Sequence, residues 1–389
     1  MTPPPWGIMT ILRILVLLVA CACPLTAARP DHAPDGGATR QRNVIFVIAD
    51  GVRWQEVFRG ADTDMMTTAN GVTRNREDLL RRFDAETTAA RRERLMPFLW
   101  THVARGGQLH GNRDLGSEVS VANRHRFSYP GFSELLCGFA DDERVNSNKK
   151  TPNPNASVFE WLAGKPGFGG RVAAFAAWDV VPFIFNAERC GFPVDGGDRP
   201  FLPPTGVTCG MAMVNEIRST TPYRWAAAFD SLVFPMCAEY LRDQKPRALF
   251  LGLGEPDEWG HEGDYGRYLE AVHRTDAWLA RLWEMTQAMP EYRDNTTFLF
   301  ATDHGRGDNT QNPKTWNSHG RDYDGSEAVF IAVWGPDTPA RGEVSGGAAL
   351  TLSQTAATVA AAVGHDYPAE QPRAATPVPG AVARGADGR

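Results

Sequence analysis

Apolar residues in this chain fall into short unbroken runs, separated by longer stretches in which they recur every three or four positions. Residues 43–49 (NVIFVIA) form the first run, and others follow at 171–177, 248–253, 297–301 and 328–333. A run without polar alternation suits a strand buried on both faces of a parallel sheet. Helical periodicity occupies 76–104, 157–162, 223–242, 265–289 and 350–363. Strands alternating with helices predict an α/β fold, a doubly wound and mostly parallel sheet sandwiched by helices. The charge-dense segment 74–94 mixes both signs, the pattern of a solvated helix face.

The ends of the chain differ from this interior. Residues 8–23 are apolar except for Thr10 and Arg13, and Thr26-Ala27-Ala28 offers small residues for cleavage. Arg29, Pro30 and Asp31 follow too closely for a membrane span, so residues 1–28 are expected to be a signal peptide. Leu18-Val19-Ala20-Cys21 also resembles a bacterial lipobox, which would put a lipid anchor on Cys21. Either way the expected location is periplasmic or secreted. Residues 29–41 suit a flexible lead-in and 42–365 a single domain. Residues 180–222, rich in Pro and Gly, are expected to be an irregular insertion facing the substrate. The Pro/Ala/Gly-rich tail, 366–389, is expected to be disordered.

A chain of 389 residues can bury a large core. Its net charge of −6 provides no nucleic-acid surface, so a phosphate-bearing substrate must be held by local charge. Four cysteines lie beyond the leader: Cys137, Cys190, Cys209 and Cys237. In an oxidising compartment Cys190–Cys209 is the favoured disulfide, because it closes a short Gly/Pro-rich loop.

Chemistry concentrates in four fragments. Asp50 follows the first apolar run. Glu255-Pro256-Asp257-Glu258-Trp259-Gly260-His261 follows the 248–253 run, Asp303-His304-Gly305 follows the 297–301 run, and Asn317-Ser318-His319-Gly320 comes later. Ligand sites in open α/β sheets lie beyond the carboxyl ends of strands, so these groups belong on one sheet edge. Asp257 and His261, four apart, share a face of one helical turn. Three unpaired carboxylates brought together would be strongly disfavoured unless divalent cations neutralised them. Mixed imidazole and carboxylate ligands favour two Zn²⁺, with Mn²⁺ as the alternative. Ser128, in Phe127-Ser128-Tyr129-Pro130-Gly131-Phe132, stands at the start of a helical pattern. There it is either a simple N-cap or a nucleophile at an anion-binding helix end.

These motifs resemble those of the alkaline phosphatase superfamily, most closely its nucleotide pyrophosphatase/phosphodiesterase-like branch. The resemblance runs from residue 43 to about 364. It implies one zinc held by Asp257, His261 and His319, and another held by Asp50, Asp303, His304 and Ser128. It further implies in-line attack by Ser128 on a small-molecule phosphate ester, a phospho-serine intermediate and its hydrolysis. Gly131 departs from that branch, which has Asn there to hold a phosphate oxygen; Asn148 and Lys149 are the replacements considered. Arg124 and Arg126 flank the nucleophile without an assigned role. Phe132 stands where formylglycine sulfatases need Arg, which argues against sulfatase-like chemistry. A phosphoglycerate-mutase-like phosphotransferase sits badly with a leader sequence, and a silent binding module sits badly with a full ligand set. Trp259 or Trp316 is expected to wall the pocket, and His102, His110, His125, His273 and His365 to lie outside the site.

Overall fold

A computed structural model describes residues 41–72, 75–221, 227–309 and 315–383, so the expected leader and nearly all of the lead-in lie outside it. Gln41–Arg389 forms one compact unit. The strands are β1 (Asn43–Ala49), β2 (Gly107–His110), β3 (Val119–Ser120), β4 (Val172–Ala176), β5 (Val194–Asp195), β6 (Ala248–Leu253), β7 (Thr296–Ala301), β8 (Ile331–Trp334), β9 (Gly342–Glu343) and β10 (Leu350–Thr351). Eight of them make one sheet in the order β5-β4-β6-β1-β7-β8-β2-β9. β1 runs parallel to both neighbours, with Phe46 opposite Phe250 of β6 and opposite Leu299 of β7. Only β8 is antiparallel to the strands beside it. The fold is thus the expected α/β sandwich: a mostly parallel sheet between helical layers.

Two apolar cores explain the unbroken runs. Ile45, Val47 and Ala49 point into one, with Val57, Tyr265, Tyr268 and Leu249. Val44, Phe46 and Ile48 point into the other, with Leu135, Phe159, Phe250 and Val359. With both faces covered, β1 is apolar from Val44 to Ala49 and meets its next polar residue only at Asp50.

Several expectations are corrected. The 76–104 stretch is not one helix. It breaks into Arg76–Phe83, Thr88–Leu95 and a wider-wound turn over Leu99–Val103. Thr87 restarts it, its hydroxyl accepting from the Ala90 amide at 3.2 Å. The helix expected over 223–242 spans Asp230–Gln244, and residues 222–226 lie outside the described residues. Leu350–Thr351 is not helical but pairs with β3, and the helix starts at Gln354. The 180–222 segment is more regular than its composition implied. It adds β5 to the sheet edge and contains the helix Cys209–Thr220, tied to β5 by a buried ion pair, Arg218 Nη2 to Asp195 Oδ2 at 2.8 Å.

The tail is ordered through residue 383, contrary to the expectation of disorder. Tyr367–Glu370 is helical, and Tyr367, Val378 and Ala381 are buried in the second core. Its small residues fit closely against the helix Gln354–Ala362, where the Val378 amide donates to Thr358 Oγ1 at 2.9 Å. Cys190 and Cys209 form no disulfide. Cys190 is buried with its thiol 3.5 Å from the Phe192 carbonyl, while Cys209 is exposed at the start of its helix.

Candidate metal centre

The carboxyl ends of β1, β6 and β7 lie side by side, and each is followed at once by acidic or imidazole groups. Asp50 follows β1, and its amide donates to the Leu253 carbonyl at 2.8 Å. After β6 the helix Glu255–His261 begins; its first amides are held by a residue the sequence reading missed, Asp230. The Asp230 carboxylate accepts from Gly254 N at 2.7 Å and Glu255 N at 3.0 Å. This helix places Asp257 Oδ2 3.1 Å from His261 Nε2, as the four-residue spacing requires. After β7, Asp303 accepts from Gly51 N at 3.2 Å, which ties the β7 turn to the β1 turn.

His304 is the hub. Its Nε2 lies 3.2 Å from Asp50 Oδ1, 3.4 Å from Asp303 Oδ2 and 3.3 Å from Ser128 Oγ. Its Nδ1 is 2.9 Å from the Gly305 carbonyl, a contact that fixes the ring and turns Nε2 towards the carboxylates. The ring stacks on His319 with centroids 3.9 Å apart. His319 Nε2 in turn is 2.9 Å from His261 Nε2 and 3.7 Å from Asp257 Oδ1. All seven residues expected from the sequence are therefore brought together.

Ser128 is not the N-cap. It is the first residue of the helix Ser128–Cys137; Phe127 occupies the cap position and makes no side-chain capping bond. The serine hydroxyl is therefore directed at His304 rather than at its own helix. At this first position the Ser128 amide also lacks an intrahelical acceptor. The next amide, of Tyr129, is taken by Asn148 Oδ1 at 2.9 Å. Gly131 is explained by crowding: a Cβ there would lie 2.3 Å from the Asp303 carbonyl oxygen. The Asn of the related pattern has no room.

A cleft of about 690 Å³ opens over Asp50, Ser128, Asp257, His261 and His319. Asn148, Lys150, Trp178, Asp179 and Glu258 also line it. Lys150, rather than Lys149, faces the cleft, its ammonium 2.7 Å from Asp179 Oδ2. Trp178, rather than Trp259 or Trp316, supplies the aromatic wall. Trp316 is buried against Tyr265 and Tyr268, and Trp259 lies beneath the Arg267 guanidinium. Arg126 pairs with Glu327 at 3.1 Å, and the Arg124 amide donates to Asp142. His110, His125 and His273 bond to Gln108, Asp142 and Leu95, outside the site; His102 and His365 make ring contacts there.

Arg306 is the largest feature that the sequence reading missed. It is 1% exposed and donates through Nε to the Trp316 carbonyl and through Nη2 to the Asn317 carbonyl, each at 2.8 Å. Its Nη1 bonds Asp257 Oδ1. The available signal was its place two residues after His304, together with glycines at 51 and 260. A Cβ on Gly260 would lie 2.5 Å from the Arg306 guanidinium carbon.

Electrostatics divides the cluster. Burial, then the Asp257 charge, pushes Asp50 up; burial, then Asp50, pushes Asp303 well up. Burial also favours protonation of Asp257, but Arg306, His261 and His319 outweigh it and hold that carboxyl well below the usual range. Burial opposes charge on His304, yet Asp303 and Asp50 raise it to about 10. Burial and the neighbouring His304 keep His319 neutral, well below its ordinary value. Glu258, in the cleft wall, is raised to about 8 by burial and by Asp257 and Asp50.

This donor set fits divalent cations. Asp50 Oδ1 and Asp303 Oδ2 are buried without an aligned hydrogen-bond donor, and two imidazole Nε2 atoms converge. Such groups are costly to bury unless a cation accepts their lone pairs. Among the described residues two groupings lie within ligand range, Asp50–Asp303–His304 and Asp257–His304–His319.

Comparison with known proteins bears on the fold and on the metalloenzyme pattern of the sequence. Residues 216–367 match the model of the Metalloenzyme superfamily, a stretch that includes Asp257, His261, Asp303, His304 and His319. Among solved structures, the alkaline phosphatase PafA is 9% identical with a TM-score of 0.55, over 89% of this chain and 100% of that one. A putative sulfatase from Bacteroides thetaiotaomicron is 12% identical with a TM-score of 0.51, over 85% and 72%. The lipoteichoic acid synthase LtaP from Listeria monocytogenes is 12% identical with a TM-score of 0.50, over 84% and 72%. At such identities the likeness is one of fold, and it does not single out the phosphodiesterase-like branch. No curated protein sequence matches significantly.

Proposed function

We propose that this chain, related to the alkaline phosphatase superfamily by fold and by its metalloenzyme sequence pattern, is a two-metal hydrolase of phosphoric esters acting through Ser128. The observation that carries the reading is the position of Ser128 Oγ, at a helix start and 3.3 Å from His304 Nε2 on the floor of the cleft. Asp50, Asp303, His304 and Ser128 would hold one cation; Asp257, His261 and His319 would hold the other. When bound, two Zn²⁺ would lower the proton affinity of the serine and offset charge developing on the ester oxygens.

The residues of the chain do the rest. His304, held by the Gly305 carbonyl, keeps Nε2 turned to Ser128. Ser128 gives its proton to solvent water, and its oxygen forms a bond to phosphorus as the bond to the leaving oxygen breaks, giving a phospho-serine. The leaving oxygen takes up a proton from water. Water then cleaves that ester, releasing the phosphoryl product and restoring the hydroxyl. The Ser128 amide, Asn148 and Lys150, which line the cleft, would meet non-bridging phosphate oxygens, and Trp178 and Val180 would flank the leaving group. Export by the leader would place this work in the periplasm or outside the cell; among the described residues no helix is long and apolar enough to cross a membrane.

The test compares p-nitrophenyl phosphate with bis-p-nitrophenyl phosphate, with chelation and zinc add-back. Chelator-sensitive turnover of at least one, lost in Ser128→Ala, is expected. Turnover unaffected by chelation, or retained in that variant, would overturn the reading.

A further inference from the structure

We infer that Arg306 is a built-in counter-cation that makes the two cation sites unequal, weakening the Asp257–His261–His319 side relative to the Asp50–Asp303–His304 side. The inference rests on the two-metal reading only in taking these two ligand sets as cation sites.

Arg306 is a fixed charge. A guanidinium stays protonated at any pH a protein survives, and this one is shut from solvent. Two of its donors are anchored on the Trp316 and Asn317 carbonyls, so it cannot swing away when a cation arrives. The cavity is shaped around it. A Cβ on Gly51, whose φ is +63°, would lie 2.8 Å from Arg306 Nη1, and one on Gly260 would strike the guanidinium carbon. No larger residue fits at either place without displacing the arginine.

Its third donor is spent on Asp257 Oδ1, an oxygen of the one carboxylate in that ligand set. The Asp257 set thus brings one carboxylate, two imidazoles and the permanent positive charge of the guanidinium. The other set brings two carboxylates, whose ion-pair partner among the described residues is the imidazole of His304. A dication entering the first set meets a net charge near zero and a carboxylate with one oxygen already engaged. Entering the second, it meets two carboxylates with buried, unsatisfied oxygens. In a poorly screened interior that difference dominates over the similar donor types. The carbonyls that Arg306 grips belong to the segment leading to His319, so Arg306 is also a positioning residue for this ligand.

The experiment dialyses the full mature chain against buffers of stepped free Zn²⁺ and counts bound zinc by elemental analysis. Wild type is expected to fill in two steps at least tenfold apart in free Zn²⁺. His261→Ala should lose the weaker step and keep the tighter one. Arg306→Gln should narrow the gap at least fivefold by tightening the weaker step, while Arg306→Lys, which keeps the charge, should preserve the gap. Two zinc ions binding with one affinity, loss of the tighter step in His261→Ala, or a weaker step left unchanged or weakened by Arg306→Gln would each overturn the inference. Failure of Arg306→Gln to fold leaves the wild-type and His261→Ala curves as the deciding results. Absence of zinc at every level would instead overturn the two-metal reading itself.

Discussion

Ser128 and His304, 176 residues apart in the chain, meet with Oγ 3.3 Å from Nε2, and the serine makes no capping bond to its own helix. The hydroxyl therefore carries little structural weight. Ser128→Ala is expected to lower turnover at least about a thousandfold, yet to shift unfolding free energy by less than about 0.5 kcal/mol. Steady-state kinetics beside urea unfolding checks both. A large loss of stability would return the serine to a structural role.

Gly131 lets the nucleophile helix approach the β7 turn. Gly131→Ala would drive a Cβ into the Asp303 carbonyl, so a loss of about 2 kcal/mol or more is expected. Displacement of Asp303 and His304 should also lower bound zinc. Gly169→Ala, at a site with no atom within 4 Å of the added carbon, is the control and should be near neutral.

Glu134 lies behind the nucleophile on the same helix, fully buried. Its carboxylate accepts from the Ala122, Asn123 and Ser353 amides and from the Asn123 and Ser353 side chains. Burial pushes this carboxyl up while those donors oppose the shift. Glu134→Ala strands the donors and is expected to cost about 3 kcal/mol, measured by urea unfolding. A change below about 1 kcal/mol would show that the network is dispensable.

His110, remote from the cleft, is lowered to about 4 by burial and by Arg341. The folded state therefore disfavours its protonated form, whereas the unfolded chain protonates near its ordinary value of 6.5. Stability is full above that value and falls as the pH drops towards 4, where the loss levels off. His110→Gln should remove a pH-dependent component of about 2 kcal/mol over this window. Unfolding free energies of both proteins at pH 7 and pH 4.5 give the difference; parallel pH profiles would refute it.

Legibility followed locality. β1, β6 and β7 were recoverable to within a residue because strands covered on both faces leave an unbroken apolar run. Asp257 and His261 were placed on one face by helical spacing alone. The break at Thr87, the strand start at Leu350 and the packing of Tyr367 were not legible, since each depends on contacts with distant segments. Lys149 and Lys150 differ in which one faces the cleft, and two adjacent exposed lysines carry no local mark of that.

Residue order was enough to set the strand–helix alternation and to put each acidic or imidazole group just past a strand end, because both follow from backbone periodicity. Tertiary packing decided which polar groups are sealed from water and which charges they meet there. Arg306 is the clearest case: an arginine is ordinarily solvent-facing. Only the approach of Gly51 and Gly260, more than two hundred residues apart in the chain, turns it into a buried cation on Asp257.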